Sequence, residues 1–413
     1  MLDHESRRGS RMDLARGLET LLVAAAVAAL APVLVALLPG PRIPQVVVLL
    51  AGGVLIGPQV LGWADRPAID LLANVGLGFL FLLAGYELDL RLFREPPGRL
   101  AIVAWLVTVA LAAATVGVLA AVGFVRAFVP VALGLTTTAL GTLLPILRDN
   151  DMLGGRFGRY LLAAGAVGEL FPVLAIALFL GASNKLVALA SLVAVGVLAL
   201  VLSFAPRLVR GNRLERILEE GEGSTAQTSI RWTVVLLLLL LVIAEEFGLD
   251  VVLGAFLAGI VLRRWAPGDV HSLEDKLDAI GYGFFIPLFF VASGMSLDIR
   301  SIAEAPLRLL VFFVLLLAVR GVPALFLYRD ALPPVRRVQM MFLTATALPL
   351  LVALAEIGLR NGTMLRENAA ALVGAGALSV LVFPMAAVTI ERRRRAGEGP
   401  TAAPAAGAPP QAD

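Results

Sequence analysis

Glu169 is a single acidic residue within a long apolar stretch of the sequence. It lies in AVGELFP, residues 166–172, and no other ionisable side chain occurs between positions 161 and 180. A carboxylate at bilayer depth is costly, and such residues are usually found where a proton or an ion binds. Glu169 is therefore a candidate site for a proton and for a monovalent cation that balance its charge in turn.

Arg320 is the second charge that the sequence places deep in an apolar run, VFFVLLLAVRGVPALFLY. A guanidinium keeps its proton in proteins, so Arg320 can neutralise an empty carboxylate but cannot carry protons itself. We predict that it is the charge partner of Glu169. A purely structural salt bridge between the two is the alternative.

Two threonine-rich segments, GLTTTALGTLLP and TATALP, interrupt apolar runs that are otherwise long enough to be continuous helices. Broken helices at membrane depth are tolerated where the freed backbone faces protein or a water-filled cavity, and their ends can coordinate ions. The candidate lining residues are Thr136, Thr137, Thr138, Thr344 and Thr346. Alternatively, the hydroxyls bond their own backbone one turn back, and Pro145 and Pro349 only kink packing helices.

The composition requires a bilayer. The 413 residues are 59% hydrophobic and 16% charged, with a mean hydropathy of +0.90. The sequence contains no cysteine, only two histidines (His4 and His271), and no GxxxxGK[ST] motif. We therefore expect no cofactor, no resident metal, no enzymatic activity and no ATP-driven pumping. The arginines fall between apolar runs rather than on one surface, so nucleic acid is not an expected partner.

Apolar runs of about 20 residues predict an all-α polytopic membrane protein with about thirteen transmembrane helices, one of them at about 281–297. Arginine is concentrated in the loops after odd-numbered spans, which predicts that the N-terminus lies outside and the C-terminus lies in the cytoplasm. The predicted location is the cell inner (plasma) membrane. Residues 1–18 are predicted to form an extracytoplasmic tail, and residues 392–413 a disordered cytoplasmic tail. The charged loop 205–230 is a candidate regulatory segment.

An internal repeat organises the membrane domain, residues 19–391. FLLAGYELDLR aligns without gaps with FVASGMSLDIR, so that Gly85 pairs with Gly294 and Asp89 with Asp298, each 209 residues apart by subtraction. The TTTAL and TATAL segments align in the same order at a separation of 208. An odd number of spans, seven, lies between equivalent spans, so the second half must be inserted upside down relative to the first. This predicts two inverted repeats, about 19–181 and 230–391, joined by a linker helix at 184–204. Inverted repeats are typical of secondary transporters with a binding site near the midplane.

Three further acidic residues, Glu87, Asp89 and Asp298, lie at predicted span ends. Interfacial solvation makes a charge inexpensive there, so these residues are either solvated surface groups or contribute to ion entry and gating.

The motifs GYELDL, TTTALGTLLP, GLDVVLGAFLAGIVL, IPLFFVASGMSLDI and TATALPLLVAL occur in this order. With them the chain resembles the monovalent cation:proton antiporters of the Kef- and NapA-like branch, over residues 20–391. The resemblance implies a homodimer with a dimerisation domain and a core domain, in which two discontinuous helices cross at Thr136–Leu140 and Thr344–Leu348.

The chain departs from the family at the expected ion site. The family has an Asp there, usually preceded by Asp, Asn or Gln, whereas this sequence has Gly168 and Glu169. Gly168 is expected to leave space for the longer glutamate, and Arg320 falls where the family has a membrane-embedded Lys or Arg. The sequence thus predicts electroneutral exchange of Na⁺ or K⁺ for a proton at Glu169. The alternatives are a non-transporting sensor or scaffold on the same frame, and an organic-anion transporter that uses Arg320.

Overall fold

The computed structural model describes residues 2–37, 44–88, 90–180, 185–204, 227–265 and 270–397. Over this part of the chain the secondary structure is helical, which confirms the predicted all-α class. The helices are α1 (Leu2–Leu37), α2 (Gln45–Ile56), α3 (Asp70–Glu87), α4 (Pro96–Ala121), α5 (Phe128–Gly134), α6 (Leu140–Asp149), α7 (Gly155–Phe179), α8 (Lys185–Leu202), α9 (Thr228–Glu246), α10 (Val251–Trp265), α11 (Val270–Ile280), α12 (Ile286–Met295), α13 (Ile299–Glu304), α14 (Pro306–Leu315), α15 (Val322–Leu327), α16 (Pro334–Thr344), α17 (Pro349–Arg360) and α18 (Arg366–Gly397).

Nine helical stretches among the described residues are long and apolar enough to cross a bilayer, and α2 and α8 are shorter apolar helices. Their lengths match the thickness of the hydrocarbon core of a bilayer. Their helical form satisfies the backbone polar groups within each segment. The multi-pass architecture is therefore established, while the count of thirteen spans stays a prediction.

Three boundaries differ from the sequence-based prediction. Helix α1 begins at Leu2, so the segment 1–18 is mostly helical. Helix α18 continues to Gly397, because Arg394 and Arg395 pair with Glu391 one turn earlier at 2.9 and 3.0 Å. The segment predicted to begin at 281 begins at Val270. Residues 205–226 and 398–413, which include most of the predicted regulatory loop and most of the predicted tail, lie outside the described residues.

The helices pack as two bundles. Bundle A contains α1–α3 and α9–α12, in which α3 packs mainly on α10, and α2 on α12. Bundle B contains α4–α7 and α13–α18, in which α4 packs on α7, and α18 on α14, α16 and α17. Helix α8 contacts both bundles, and direct contacts between them are sparse. The assignment of a core domain and a dimerisation domain to these bundles stays a prediction.

Glycines permit close helix crossings within bundle A. A Cβ at Gly85 would lie 2.1 Å from the carbonyl oxygen of Phe256, and one at Gly294 would lie 2.2 Å from that of Leu50. Gly85 and Gly294 are paired positions of the predicted repeat, and each packs against a helix from the opposite half. Matched contacts of this kind are expected of two related halves, although the repeat itself stays a prediction.

Two helices contain a single π-helical turn. One turn, Gly281–Phe285, joins α11 to α12, and the other, Leu316–Gly321, joins α14 to α15. Such wide turns insert one extra residue and are frequent at functional sites. Here they contain Tyr282 and Arg320, both of which lie near the candidate site described below.

Candidate ion-binding site

The two helix interruptions meet in the interior of the protein. Helix α5 ends at Gly134 and α6 begins at Leu140, while α16 ends at Thr344 and α17 begins at Pro349. The Ala139 backbone N–H donates to the Thr346 carbonyl at 2.8 Å, and the Thr138 hydroxyl donates to the Thr344 carbonyl at 2.7 Å. Each break therefore satisfies backbone groups of the other, as broken helices within a membrane require.

The candidate threonines stabilise these breaks locally. Thr136 and Thr137 donate their hydroxyls to the carbonyls of Leu133 and Gly134 at 2.7 and 2.8 Å, which satisfies the last turn of α5. Thr344 and Thr346 bond the carbonyls of Met340 and Phe342 in the same way, at 2.8 and 3.1 Å. Backbone bonding and helix interruption therefore occur together. A hydroxyl that donates keeps lone pairs that can face a cation.

Glu169 lies on α7 and faces this junction with only 7% of its surface exposed. Its carboxyl group is adjacent to the backbone N–H groups of Leu140 and Gly141, at the N-terminus of α6. A helix N-terminus carries partial positive charge, which favours the carboxylate form. Glu169 shares a narrow cleft with residues of both breaks, namely Thr137, Thr138, Ala139, Ala347, Leu348, Pro349 and Leu350.

Arg320 reaches the same junction but does not pair with Glu169. Its Nε donates to the Thr138 hydroxyl at 3.0 Å, and an Nη donates to the Ala164 carbonyl at 3.0 Å. Arg320 is 4% exposed, and the described residues place no carboxylate within salt-bridge distance of it. The expected ion pair is therefore not formed. Arg320 instead supports the α5–α6 break through Thr138.

Gly168 explains this arrangement and corrects another expectation. A Cβ at position 168 would lie 2.6 Å from Arg320 Nη2 and 2.6 Å from Thr138 Oγ1. The space left by the glycine is thus occupied by the guanidinium and the threonine rather than by the glutamate. Glu169 follows Gly168 in the helix and points about 100° away, toward the N-terminus of α6.

A group of polar residues approaches Glu169 from the C-terminal end of α3. Glu87 lies near Asp278 and Glu274 of α11, with Arg148 and Arg263 also nearby. Tyr282 is close enough to interact electrostatically with Glu87, Asp278 and Glu169, and it is 41% exposed. The predicted entry residue Glu87 therefore lies beside the site. Glu274, Asp278 and Tyr282 were missed, although their four-residue spacing places them on one helix face.

The other two candidate gating residues, Asp298 and Asp89, do not belong to this group around Glu87. Asp298 caps the N-terminus of α13, where the Ser301 backbone N–H donates to it at 3.1 Å and the hydroxyl at 2.9 Å. These hydrogen bonds hold the pKa of Asp298 below its ordinary value. Asp89 lies outside the described residues.

Comparison with known proteins identifies the family. A family model described as "Sodium/hydrogen exchanger, transmembrane" matches residues 23–390. The chain belongs to the sodium/hydrogen exchanger family. This confirms the family-level resemblance of the sequence motifs.

Relatives of the chain include proteins of bacteria and plants. The chain is 27% identical to YjbQ of Bacillus subtilis, over 86% of this chain and 60% of that protein. It is 28% identical to Cation/H⁺ antiporter 18 of Arabidopsis thaliana, over 64% of this chain and 35% of that protein. It is 27% identical to a Na⁺/H⁺ antiporter of Enterococcus hirae, over 65% and 71% respectively. The chain thus spans 60% of the first of these relatives and about a third of the second.

A solved exchanger structure shares the fold. The sodium proton antiporter MjNhaP1 of Methanocaldococcus jannaschii at pH 8 matches with a TM-score of 0.60 and 15% identity, over 93% of this chain and 97% of that one. This confirms the fold class. Among the described residues, no group of three or more histidine, aspartate or glutamate side chains is placed to hold a metal ion.

Proposed function

We propose that the chain exchanges a monovalent cation, Na⁺ or K⁺, for a proton across the membrane, and that Glu169 binds the two in turn. The supporting observation is that Glu169 is buried in a cleft formed by both interrupted helices. Membership of the sodium/hydrogen exchanger family supports the same conclusion.

The cleft provides the groups that this exchange needs. The carboxyl group supplies the titratable charge, the N-terminus of α6 stabilises its ionised form, and the Thr137 hydroxyl offers a neutral oxygen to a cation. Glu169 is almost fully enclosed, so ions reach it only when the surrounding helices separate. Sparse contacts between bundles A and B make relative movement of the two bundles the natural way to open the cleft from either side.

Glu87, Asp278 and Tyr282 support a route to Glu169 from one membrane face. The carboxylates of Glu87 and Asp278 attract cations. Tyr282 is partly exposed and lies close to Glu169. We place this route on the cytoplasmic side, because the adjoining loops are rich in arginine. We also propose an inner-membrane location with the N-terminus outside, and a homodimer formed through bundle A.

The test of this function is a vesicle assay. Purified protein in liposomes with an imposed pH gradient and a pH-sensitive dye is expected to dissipate the gradient when Na⁺ or K⁺ is added. Li⁺ should be included, and choline serves as a control cation. No response to any of the alkali cations across the neutral pH range would favour the sensor or scaffold alternative. The organic-anion alternative has less support, because Arg320 is engaged by Thr138 and Ala164.

The exchange is expected to be electroneutral. Among the described residues, Glu169 is the single carboxyl group that lines the cleft, and Arg320 stays charged throughout, so one proton replaces one monovalent cation. An imposed membrane potential, set with a gradient of the permeant anion thiocyanate during Na⁺-driven exchange, is therefore expected to leave the initial rate unchanged. A rate that follows the sign of the potential would contradict single-site exchange.

A further inference from the structure

A second cavity lies between the bundles, on the opposite side of the site from Glu87. Its volume is about 480 Å³. Bundle A contributes Asn74, Ser293 and Ser296 to its wall, and bundle B contributes Val352 and Glu356. The proposed binding at Glu169 and the proposed route past Glu87 do not involve this cavity.

The cavity approaches the Glu169 cleft along α17. It is lined by Val352, whereas the cleft is lined by Leu350 of the same helix. Two residues correspond to a rise of about 3 Å along an α-helix. A short section of packed helix therefore separates the cavity from the candidate ion site.

A polar group in the cavity wall lacks a partner. Ser293 is 5% exposed, and its hydroxyl makes no hydrogen bond among the described residues. A buried hydroxyl without a partner is costly, and such groups usually meet water or a ligand. Together with the amide of Asn74 and the carboxylate of Glu356, it provides oxygen ligands suited to an alkali cation.

Arg66 joins the two bundles at this cavity. It lies just before α3 and forms an ion pair with Glu356 of α17, where the Glu356 side chain is 11% exposed. The guanidinium also donates to the Ser296 hydroxyl and, at 2.9 Å, to the Asp70 carboxylate. Bundle A thus holds three groups of this network, and bundle B holds only Glu356. Separation of the bundles at this end must break the Arg66–Glu356 pair.

We propose that this cavity is the second entrance to the ion site, and that Arg66 closes it by binding Glu356 in the place of a transported cation. The proposal rests on the proposed exchange function. When the bundles separate, Glu356, Ser293 and Asn74 become the first ligands for a cation that arrives from this side. The Arg66–Glu356 pair is then the latch that holds the entrance shut in the conformation described here.

Cross-linking tests the latch. Because the chain has no cysteine, Arg66→Cys with Glu356→Cys introduces the only two thiols. A bifunctional methanethiosulfonate is expected to stop cation/proton exchange in vesicles, and a reductant is expected to restore it. The matched control is Arg308→Cys with Glu367→Cys, an ion pair at 3.4 Å between α14 and α18 within bundle B, where cross-linking should leave exchange unchanged.

The outcomes are distinct. Exchange by the cross-linked Arg66/Glu356 variant at the rate of its reduced form would overturn the latch. If the reduced form does not exchange, because Glu356 is itself needed as a ligand, the following measurement decides the latch. If the unmodified chain does not exchange cations at all, the proposed function fails instead, and the following measurement still decides the latch.

Accessibility provides that independent measurement. Val352→Cys lies at the inner end of the cavity, where Val352 is 2% exposed. Arg66→Gln is expected to raise its rate of modification by a charged thiol reagent in detergent about tenfold, which corresponds to about 1.4 kcal/mol in a two-state equilibrium. As a control, the reactivity of Leu83→Cys, buried within α3, should not change. An unchanged rate at position 352 would overturn the latch even if transport were lost.

Discussion

Glu169→Gln is expected to abolish cation/proton exchange while the protein remains folded. The amide has nearly the shape of the carboxyl group, but it neither binds a proton reversibly nor balances the charge of a cation. The neutral side chain also removes a buried charge, so the thermal midpoint in detergent should be equal to or higher than that of the parent. The dye assay in vesicles and a thermal melt measure the two effects.

Two variants serve as controls for this result. Glu169→Asp keeps the carboxyl group and should retain measurable exchange. Glu245→Gln removes an exposed carboxylate at the end of α9 and should exchange like the parent. Exchange by Glu169→Gln at the rate of the parent would remove Glu169 from the mechanism.

Gly168→Ala is expected to have the second-largest effect, although it adds only a methyl group. The new Cβ would lie 2.6 Å from both Arg320 Nη2 and Thr138 Oγ1, so the guanidinium must leave its partners. A hydrogen bond to a buried charged group contributes about 1.5–3 kcal/mol. We therefore expect a lower thermal midpoint and a severe loss of exchange, because Thr138 no longer holds the two breaks together.

Gly117→Ala is the matched control in the same bundle. A Cβ at Gly117 would meet only Phe128, at 3.8 Å, and alanine is the better helix former. Its stability and exchange should equal or exceed those of the parent. If Gly168→Ala were as stable and as active as Gly117→Ala, the proposed role of Arg320 at the break would be wrong.

The helix interruptions could be predicted from the sequence because their signal is local. Clustered threonines beside glycine or proline within apolar runs mark α5–α6 and α16–α17, and the structure breaks both. That the two breaks bond each other through Thr138 and Thr344 depends on residues 206 positions apart. A linear pattern contains no such distance.

Arg320 shows a second limit. Hydropathy indicates how deep a residue lies in the membrane, but it does not indicate its rotation about the helix axis. Glu169 and Gly168 differ by one residue in depth and by about 100° in direction. Arg320 approaches the face of α7 that carries Gly168. The prediction therefore placed Arg320 at the correct depth in the membrane but on the wrong face of α7.

The polar residues near Glu87 were missed for a different reason. Glu274 and Asp278 are charged, and the predicted span began after them, at 281. Helix α11 begins at Val270 and includes both. A charged N-terminal part of a helix that extends beyond its apolar core is therefore easily assigned to a loop.

The π-helical turns have a consequence for how single helices can move within each bundle. A π-helical turn contains one residue more than an α-helical turn. The turn can shift along the helix axis, or it can return to α-helical geometry if one end of the helix rotates by about 100°. Within the described residues, one such turn lies in bundle A, at Gly281–Phe285, and the other in bundle B, at Leu316–Gly321, while α3 and α4 run as regular α-helices. Each bundle thus contains one swivel, which includes Tyr282 in bundle A and Arg320 in bundle B, beside helices that have no wide turn.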